Sequence, residues 1–536
     1  MEQNTIYTLP VLDMNSEGTG ICKQDGMVIF VPRTVPGDYI RLQICTVRKN
    51  FAAAECREIL TPSEHRREPE CPFHISCGGC TLQHVSRKME LSVKENTVRQ
   101  ALRRMHLEIA EGDVRPILYT EPTAYRNKAV FHFSKTGELG YFAGESHTVM
   151  PGSKKCLLLP AFFTEIAGFT EAYMQNTAVN LRLETLYLRR NSRNQCTVTI
   201  QTTDALTSPV ERILRSYAEA LQTRFPEHVT GVLHSDHPEG KYAVPVYTVI
   251  AGERYLQETY HGLSMRISPE GFCQVNHTGA EILAETVLAF ARTCADPGSG
   301  IAADLYCGSG FFGLHLAKAF PDWQIHGIEI NPDSIRDAEV NRELNGLHNI
   351  TFRCGDAASL AAEKGAVPAF VVIDPPRAGC SEKMRRQIME IAPKHVAYVS
   401  CNPQTLARDL ADFHSGGYQI HAVQPVDMFP RTGHVETVCL LSKLNAKQHI
   451  EINLDMDELD LTDAEKKATY QEIKDYVLEH SGLKVSSLYV AQIKQKCGII
   501  ERENYNKPKS EDAKQPQCPP DKEKAIKEAL KHFGMI

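Results

Sequence analysis

From about residue 295 the chain repeats one pattern, in which a short apolar run is followed by a helical segment. The apolar runs are IAADLY, WQIHGIEI, ITFRCGD, FVVIDPP and HVAYVSC. Such alternation is typical of strands buried on both faces of a mostly parallel sheet that helices cover. The pattern therefore predicts a doubly wound, Rossmann-like α/β domain.

The other parts of the 536-residue chain follow different patterns, so we predict a multidomain α/β protein. Residues 1–62 contain short alternating strands separated by turns, which is typical of a small OB-like β-barrel. Residues 63–262 combine a cysteine-rich segment, a basic helix and further strands, and we assign them to a central α+β domain. The Rossmann-like domain is placed at 263–443, and residues 444–536 are predicted to form a small helical C-terminal extension.

Composition argues against two broad classes of protein. No apolar run approaches the roughly 18 residues of a membrane span, and the N-terminus lacks the basic start and apolar core of a signal peptide. The 17 cysteines are therefore expected to be reduced thiols of a cytoplasmic protein that serve metal binding or catalysis. The formal net charge of −7 hides a local basic bias, because 451–475 is acidic while 87–104, 125–128 and 188–193 are basic.

The first strand of the Rossmann-like pattern runs into a glycine turn and then a helix, in ADLYCGSGFFGLHLA (303–317). Gly308 and Gly310 let the backbone approach a ligand at the helix N-terminus. Glu329 ends the next strand, placed to accept hydrogen bonds from ribose hydroxyls, and Asp356 follows the third strand, placed to contact an adenine amine. A dinucleotide would use the same geometry, but a third glycine and a pyrophosphate site are not evident, which favours S-adenosylmethionine.

Strand four of this pattern ends in IDPPR, from Asp374 to Arg377. The two prolines fix a rigid turn at the carboxyl edge of the sheet, where α/β folds bind their substrates. An acidic residue followed by two prolines favours a loop that holds a planar base, and a tight loop with two solvated charges is the plainer interpretation. Enzymes that methylate a base amine usually carry an aromatic residue after the prolines, whereas this chain has Arg377.

Strand five ends in YVSCNPQTLARDL, which places Cys401 at the same edge and next to the start of a helix. A helix N-terminus favours a thiolate, and thiolate addition to C6 of uracil makes C5 nucleophilic enough to attack a methyl donor. The proton then carried by C5 must be removed by a base, for which Glu436 in RTGHVETVCLLS is a candidate. A buried structural cysteine and a surface glutamate are the plainer interpretations of these two residues.

Together the motifs DLYCGSG, IDPPR, SCNPQTLARD and HVETV, in this order and spacing, resemble the RNA uracil-C5 methyltransferase family, the RNA 5-methyluridine synthases. The resemblance spans residues 1 to about 443. It implies that Cys401 is the nucleophile and that Glu436 is the base that removes the C5 proton. It also implies that Asp374 and Arg377 are catalytic residues that orient the uracil and the nucleophile.

The same resemblance implies a binding site for S-adenosylmethionine. Gln274, in the upstream motif SPEGFCQVN, would contact the cofactor, and Tyr306, Glu329 and Asp374 match the other cofactor-binding positions of the family. Phe311 departs from the family pattern, because some members have a polar residue there that contacts the cofactor. Cys273 likewise replaces a more usual aromatic residue.

Three cysteines, Cys71, Cys77 and Cys80, lie in the short run CPFHISCGGC, and Cys156 in GSKKCLLLP matches the position of a fourth cysteine in the family. The resemblance implies that the four thiolates hold a [4Fe-4S] cluster with a structural and RNA-positioning role. Zinc is the physical alternative, because four cysteines suit both metals. The N-terminal barrel resembles a TRAM domain, a module common in RNA-modifying enzymes.

These features predict an enzyme that uses S-adenosylmethionine to methylate C5 of a uridine in ribosomal RNA, of the 23S type, through a covalent cysteine–C6 adduct. The same reaction on transfer RNA, methylation of a base amine, and a non-catalytic RNA-binding module are the alternatives. We expect a monomer that does not bind membranes and whose basic segments contact RNA phosphates. The C-terminal extension is expected either to add RNA affinity without chemistry or to bind nothing.

Overall fold

The computed structural model describes most of the chain, namely residues 1–107, 112–144, 146–177, 181–203, 205–236, 245–294, 300–357, 367–443, 470–497 and 518–533. The chain forms two compact units, Met1–Asn445 and Ala446–Ile536. Among the helices of these described ranges, none is both long enough and apolar enough to cross a membrane.

The N-terminal part is a six-stranded sheet of order β1-β5-β6-β4-β3-β2. Its strands are β1 (Ile6–Pro10), β2 (Asp13–Met14), β3 (Thr19–Gln24), β4 (Met27–Pro32), β5 (Tyr39–Val47) and β6 (Phe51–Thr61). Alternate side chains form a separate apolar core that includes Ile29, Ile40 and Leu42. Beyond β1, which pairs with β5, the Leu12 N–H donates to the Ile21 carbonyl of β3 at 2.8 Å, so one segment contacts both strands. The TRAM identity of this sheet stays a prediction.

Two helices and a short strand connect this sheet to the rest of the unit. They are α1 (His74–Cys77), which lies inside the cysteine segment, α2 (Arg87–Arg104) and β7 (Leu118–Tyr119). The side chain of Ser86 caps α2, because it accepts a hydrogen bond from the Met89 N–H at 3.3 Å.

The central sheet has seven strands in the order β10-β9-β8-β11-β12-β13-β14. They are β8 (Lys128–Phe133), β9 (Leu139–Phe142), β10 (Val149–Pro151), β11 (Leu183–Arg190), β12 (Cys196–Thr202), β13 (Val229–Asp236) and β14 (Tyr247–Gly252). Neighbouring strands are antiparallel except β12 and β13, which are parallel. Helices α3 (Ala161–Gln175) and α4 (Ser208–Arg224) share one apolar core with this sheet.

A two-stranded hairpin, β15 (Leu256–Tyr260) and β16 (Leu263–Ile267), leads into an eight-stranded sheet of order β19-β18-β17-β20-β21-β23-β22-β7. Its further strands are β17 (Ile301–Leu305), β18 (Gln324–Glu329), β19 (Ile350–Cys354), β20 (Phe370–Ile373), β21 (His395–Ser400), β22 (Tyr418–Asp427) and β23 (Glu436–Lys443). The helices of this domain are α5 (His277–Cys294), α6 (Phe311–Ala319), α7 (Pro332–Leu344), α8 (Glu382–Ile391) and α9 (Pro403–Ser415).

The pairing of this sheet brings separate parts of the sequence to one edge. Strands β17 to β21 run parallel to their neighbours, so their carboxyl ends meet on the same side. Strand β23 runs antiparallel to β21, with Ser400 opposite Thr437. The next position of each strand along this register is Cys401 on one side and Glu436 on the other, and both lie at the carboxyl edge.

Elements that precede residue 263 also pack on the Rossmann-like domain. Strand β7 pairs in parallel with β22, and the side chains of Val98, Ala101 and Leu102 from α2 enter the core beneath α9. The hairpin β15–β16 contributes Tyr260 and Leu263 to the second core of the same sheet. A linear boundary at residue 263 therefore divides elements that the apolar cores hold together.

The second unit contains the helices α10 (Tyr470–Ser481), α11 (Ser487–Lys496) and α12 (Pro520–His532). Their apolar core includes Ile473, Val490 and Ile526. The first helix ends at Ser481, and the following Gly482 adopts a left-handed φ of 67°, which is typical of a glycine that terminates a helix. Most of the acidic run 451–475 lies outside the described residues.

Candidate active site

The candidate nucleophile and the candidate base lie on adjacent strands. Cys401 follows the last residue of β21 and is half-buried, whereas Glu436 is the first residue of β23 and is only 5% exposed. Asn402 caps α9 by accepting the Gln404 N–H at 3.0 Å, which starts the helix immediately after the thiol. The two predicted catalytic groups are thus brought together by strand register and by one helix cap.

The IDPPR loop lies against the same helix. Its Asp374 N–H donates to the Leu305 carbonyl at 3.3 Å, which keeps the loop in line with β17. The carbonyl of Arg377 accepts hydrogen bonds from Asn402 Nδ2 at 3.4 Å and from Thr405 Oγ1 at 3.2 Å. The backbone of Arg377 is therefore attached to the start of the helix that follows Cys401.

A buried carboxylate that the sequence analysis did not single out holds the end of this loop. Asp409, on α9, accepts hydrogen bonds from the Cys380 N–H at 2.8 Å and from the Tyr398 hydroxyl at 2.6 Å. It also accepts from Arg385 at 3.0 Å and from Arg408 at 2.8 Å. The signal was present in the sequence, because Asp409 lies beside Leu410 in TLARDL, on the apolar side of a predicted helix.

The electrostatics of the site differ from the sequence expectation at Cys401. Burial raises the pKa of its thiol, and the carboxyl groups of Glu436 and Asp374 raise it further when they are ionised, while the charge of Arg377 and a hydrogen bond from it lower it. The expected stabilisation of a thiolate by the helix N-terminus is therefore outweighed in the free protein. Arg377 is the group at this site that favours the thiolate.

Both carboxyl groups of the site are also held toward their neutral forms. Burial, followed by the charge of Asp374, raises the pKa of Glu436 to about 8, and Arg377 opposes that shift. Burial raises the pKa of Asp374 to about 7. A carboxyl group with a pKa near the working pH is suited to accept and release a proton during one turnover.

A cavity beside this edge contains several of the residues predicted to bind the cofactor. Its lining includes Gln274, Tyr306, Gly308 and Asp374. Gly308 has a left-handed φ of 54°, which most L-residues avoid and which shapes the turn after β17. The presence of Asp374 in this lining places the cavity next to the IDPPR loop.

Three of the predicted cofactor residues do not line this cavity. The Glu329 carboxylate accepts the Gly308 N–H at 3.2 Å and the Asn331 N–H at 2.8 Å, so it supports the glycine turn. A Cβ at Gly310 would lie 2.7 Å from Phe352, so this glycine permits close helix–sheet packing. Asp356 is exposed and forms an ion pair with Lys383 at 3.4 Å.

The cavity is also lined by aromatic and thiol side chains that the sequence motifs did not predict to bind a ligand. The rings of Tyr260 and Phe311 meet edge to face, with centroids 5.1 Å apart, and the Tyr260 hydroxyl lies 3.2 Å from Cys273 Sγ. Phe272 is 69% exposed at the cavity lining. Phe311 and Cys273, the two residues that depart from the family pattern, thus form part of an aromatic and thiol wall of the cavity.

The four cysteines of the predicted cluster lie within electrostatic range of one another. Cys71 and Cys77 both affect Cys80, and Cys71 and Cys80 both affect Cys156. In the described part of the chain, however, no three or more Cys, His, Asp or Glu side chains are arranged to hold a metal ion. Neither an iron–sulfur cluster nor zinc is therefore shown. The Nε atom of the half-buried Arg126 is itself buried and has no hydrogen-bond partner among the described residues, and the charge of this arginine acts on Cys80 and Cys156.

Part of the predicted basic surface is used inside the protein. Arg87 forms ion pairs with two buried carboxylates, and Arg189 donates to two backbone carbonyls at 2.8 and 3.0 Å. These side chains are not free to contact RNA phosphates. The exposed basic side chains of the same segments are Lys88, Arg103, Arg104 and Arg193.

Comparison with known proteins decides the family. The model of the tRNA (uracil-5-)-methyltransferase family matches residues 253–444. An uncharacterized RNA methyltransferase of Oceanobacillus iheyensis is 33% identical over 460 residues, which cover 82% of this chain and 97% of the relative. One of Listeria monocytogenes is 32% identical over 468 residues and covers 98% of the relative. The chain belongs to the RNA uracil-5 methyltransferase family.

Solved structures agree with this assignment at the level of the fold. The Pyrococcus abyssi tRNA (uracil-54, C5)-methyltransferase, determined with S-adenosyl-L-homocysteine, aligns with a TM-score of 0.62 at 22% identity. The alignment covers 81% of this chain and all of the Pyrococcus chain. The predicted mixed α/β fold with a methyltransferase domain is thereby confirmed. The family that the sequence motifs resemble is confirmed by the family model and the relatives.

Proposed function

We propose that this uracil-5 family methyltransferase uses S-adenosylmethionine to methylate C5 of a uridine in RNA, with Cys401 as nucleophile and Glu436 as base. The observation that supports the proposal most is the register of β21 and β23, which sets a half-buried thiol opposite a buried carboxyl group. Asp374 interacts electrostatically with both residues of this pair, and it also lines the neighbouring cavity. A thiol and a base beside a ligand cavity are what methylation of an unreactive ring carbon requires.

The steps follow from the chemistry of uracil. The Cys401 thiol loses its proton to solvent, and the Arg377 guanidinium stabilises the thiolate that forms. The thiolate bonds to C6, and the electrons of the C5=C6 bond make C5 nucleophilic. S-adenosylmethionine supplies an electrophilic methyl group when bound. After C5 has taken up that methyl group, the Glu436 carboxylate removes the C5 proton, the C6–S bond breaks, and the C5=C6 bond reforms with Cys401 released as thiolate.

RNA that contains 5-fluorouridine at the target position tests this assignment. Fluorine cannot leave C5 as a proton does, so the wild-type protein with S-adenosylmethionine is expected to form a protein–RNA conjugate stable to denaturing gels. Cys401→Ala should form none, and Cys439→Ala serves as the matched control, because Cys439 is a buried thiol of β23 outside the site. Full methylation of natural RNA by Cys401→Ala would exclude the covalent mechanism and favour methylation of a base amine.

We propose ribosomal RNA, of the 23S type, as the substrate. The proposal is supported by the N-terminal six-stranded sheet together with Cys71, Cys77, Cys80 and Cys156. The family resemblance links such cysteines to the ribosomal members and to some transfer RNA members. The matching family model and the Pyrococcus protein are named for transfer RNA, which makes that the second candidate. Mass-spectrometric mapping of 5-methyluridine, in cells with and without this gene, distinguishes the two. Loss confined to transfer RNA would overturn the ribosomal proposal.

We further propose that Cys71, Cys77, Cys80 and Cys156 bind a [4Fe-4S] cluster. The electrostatic interactions of Cys80 and Cys156 with each other and with Cys71 support this proposal. Arg126 supports it too, because its unpartnered Nε lies near thiols that would carry negative charge as thiolate ligands. The residues would hold the cluster in a structural role, and no step of the methylation passes through it. Zinc is the alternative metal, and metal analysis of the purified protein distinguishes the two.

A further inference from the structure

The loop between β22 and β23 ends at the candidate base, and its backbone is held from outside. Five consecutive carbonyls, from Asp427 to Arg431, each accept a hydrogen bond from another part of the protein. The donors, in order, are Thr120 Oγ1 at 3.4 Å, Asn276 Nδ2 at 3.0 Å, Lys94 Nζ at 2.9 Å, the Tyr125 hydroxyl at 3.1 Å and the Leu82 N–H at 3.1 Å. We call this segment, residues 427–435, the base loop.

The five donors come from five separate places in the chain. They lie just after the cysteine segment, on α2, after β7, ahead of β8, and just before α5. A loop of this length would ordinarily expose its carbonyls to water, and each of these five carbonyls has a specific protein donor instead. The conformation of the base loop is therefore set by elements other than the strands that it joins.

Lys94 has the strongest connection to the base loop. Its side chain is fully buried, and its Nζ lies 2.5 Å from Asp427 Oδ1 and 3.4 Å from Glu90 Oε1. Glu90 also accepts the Arg431 N–H at 2.6 Å. Since Asp427 follows Val426, the residue paired with Glu436, this network fixes the start of the loop directly beside the base.

The N-terminal sheet contacts the same loop. A Cβ placed on Gly433 would lie 1.5 Å from the carbonyl oxygen of Ser16, in the turn between β2 and β3. Gly433 does not have a left-handed backbone, so lack of space is what excludes a larger residue there. The N-terminal sheet, α2 and the segment after the cysteines thus all bear on the base loop.

We propose that Lys94 and Tyr125 are positioning residues for Glu436, which hold the base loop so that the carboxylate faces the C5 proton of the uracil bound to Cys401. The proposal rests on the proposed function. Loss of either contact should slow proton removal more than the earlier formation of the bond to C6. The protein–RNA adduct with natural uridine, which is short-lived in the wild type, should then accumulate.

Tyr125→Phe removes one hydrogen bond to the base loop and leaves the ring in place. Tyr418→Phe is its matched control, because the buried Tyr418 hydroxyl donates to the Pro393 carbonyl at 2.8 Å, away from the loop. Lys94→Met removes the ammonium group, while Arg87 remains paired with Asp427. The full-length variants are compared by unfolding temperature, S-adenosylmethionine affinity, turnover, and adduct on denaturing gels with natural-uridine RNA.

We expect turnover to fall about fivefold in Tyr125→Phe and about tenfold to a hundredfold in Lys94→Met, with unchanged cofactor affinity and visible adduct. Tyr418→Phe should show a similar loss of unfolding temperature and no adduct. If both loop variants lose turnover without accumulating the adduct, while Glu436→Gln does accumulate it, the positioning role is wrong and the proposed function stands. If Glu436→Gln does not accumulate the adduct either, the proposed function itself is contradicted. If Lys94→Met does not fold, Tyr125→Phe decides alone.

Discussion

Cys401 and Glu436 lie on neighbouring strands whose hydrogen-bonded register sets their relative position, whereas Cys71, Cys77 and Cys80 lie in a segment with a helix of only four residues. At the sheet edge, the loop carbonyls and the Asp409 carboxylate all have protein donors. Among the described residues, the three thiols of this segment and the thiol of Cys156 are not arranged to hold a metal ion. Hydrogen bonds within the protein thus position the groups at the sheet edge, whereas they do not arrange the described cysteine side chains as ligands of a metal ion.

The difference has a physical basis. Ladder hydrogen bonds and apolar cores position side chains at the end of a sheet whether or not a ligand is present. A metal-binding loop rarely has its final geometry without the metal, because the binding free energy also organises the chain. We therefore expect substitutions at the sheet edge to change chemistry and substitutions at the cysteines to change local structure.

Glu436→Gln should have the largest effect, at the sheet edge. We expect turnover to fall about 10³-fold, because a positioned base contributes on the order of 10²- to 10⁴-fold, and the adduct with natural uridine should persist. The unfolding temperature should hardly change, because a carboxyl group with a pKa of about 8 is mostly neutral at pH 7, as Gln is. Single-turnover reactions that are stopped at intervals and run on denaturing gels measure both the methylated RNA and the protein–RNA adduct. Prompt turnover by this variant would remove Glu436 from the role of base.

Asp409→Asn tests whether the IDPPR loop is ordered by the protein itself. The substitution leaves the nearly buried Arg385 with a weakened partner, so we expect the free energy of unfolding to fall by about 2–4 kcal/mol. Urea unfolding followed by circular dichroism measures this, with Asp322→Asn on the surface as control. A loss below about 0.5 kcal/mol would show that the loop does not depend on this carboxylate.

Substitutions at the predicted cluster cysteines should affect metal binding more than methylation. Anaerobically purified wild-type protein is expected to be brown and to contain about four irons per chain, and Cys156→Ser should lose most of that iron. Methylation of a short RNA by Cys156→Ser should fall less than tenfold, because the sheet edge keeps its own order. Cys196→Ser, at a buried cysteine outside the segment, controls for general destabilisation. Colourless wild-type protein with one zinc per chain would replace the cluster by zinc.

The pH dependence of adduct breakdown should report on Glu436. Its raised pKa of about 8 means that the ionised, proton-accepting form is lost as pH falls. The rate should therefore drop about tenfold per pH unit below 8 and level off above it. A raised thiol pKa at Cys401 acts in the same direction on adduct formation, so breakdown must be followed after the adduct is formed. A flat profile between pH 6 and about 8 would contradict this account.

The smallest effect should come from removing the second unit. A chain that ends at Leu444 retains the first compact unit almost entirely and should methylate a short RNA at a rate within about twofold of the full chain. It should bind a long ribosomal precursor RNA severalfold more weakly if the extension adds RNA affinity. Equal binding would favour an appendage that binds nothing. Loss of turnover on the short RNA would make the extension part of the catalytic unit.

The candidate site was predictable to the extent that it follows from strand ends. Cys401 and Asp374 come directly after apolar runs, so their place at the carboxyl edge follows from the parallel sheet alone. The pKa of Cys401 was not predictable, because it depends on Glu436, which joins the site only through the antiparallel strand β23. Asp356 and Glu329 follow the expected strands too, yet their carboxylates bind Lys383 and backbone N–H groups.

The sequence by itself determined the Rossmann-like order of elements, the family, and the positions of the thiol and the carboxyl group along the chain, because local periodicity and motif spacing carry that information. The tertiary structure alone decided that α2 and β7 complete the methyltransferase domain and that Lys94, Tyr125 and Ser16 meet at the base loop. The physical reason is that these contacts join residues hundreds of positions apart in the chain, such as Lys94 and Phe429, which are 335 positions apart. No short-range pattern specifies such contacts, since they form only when separately folded layers pack together.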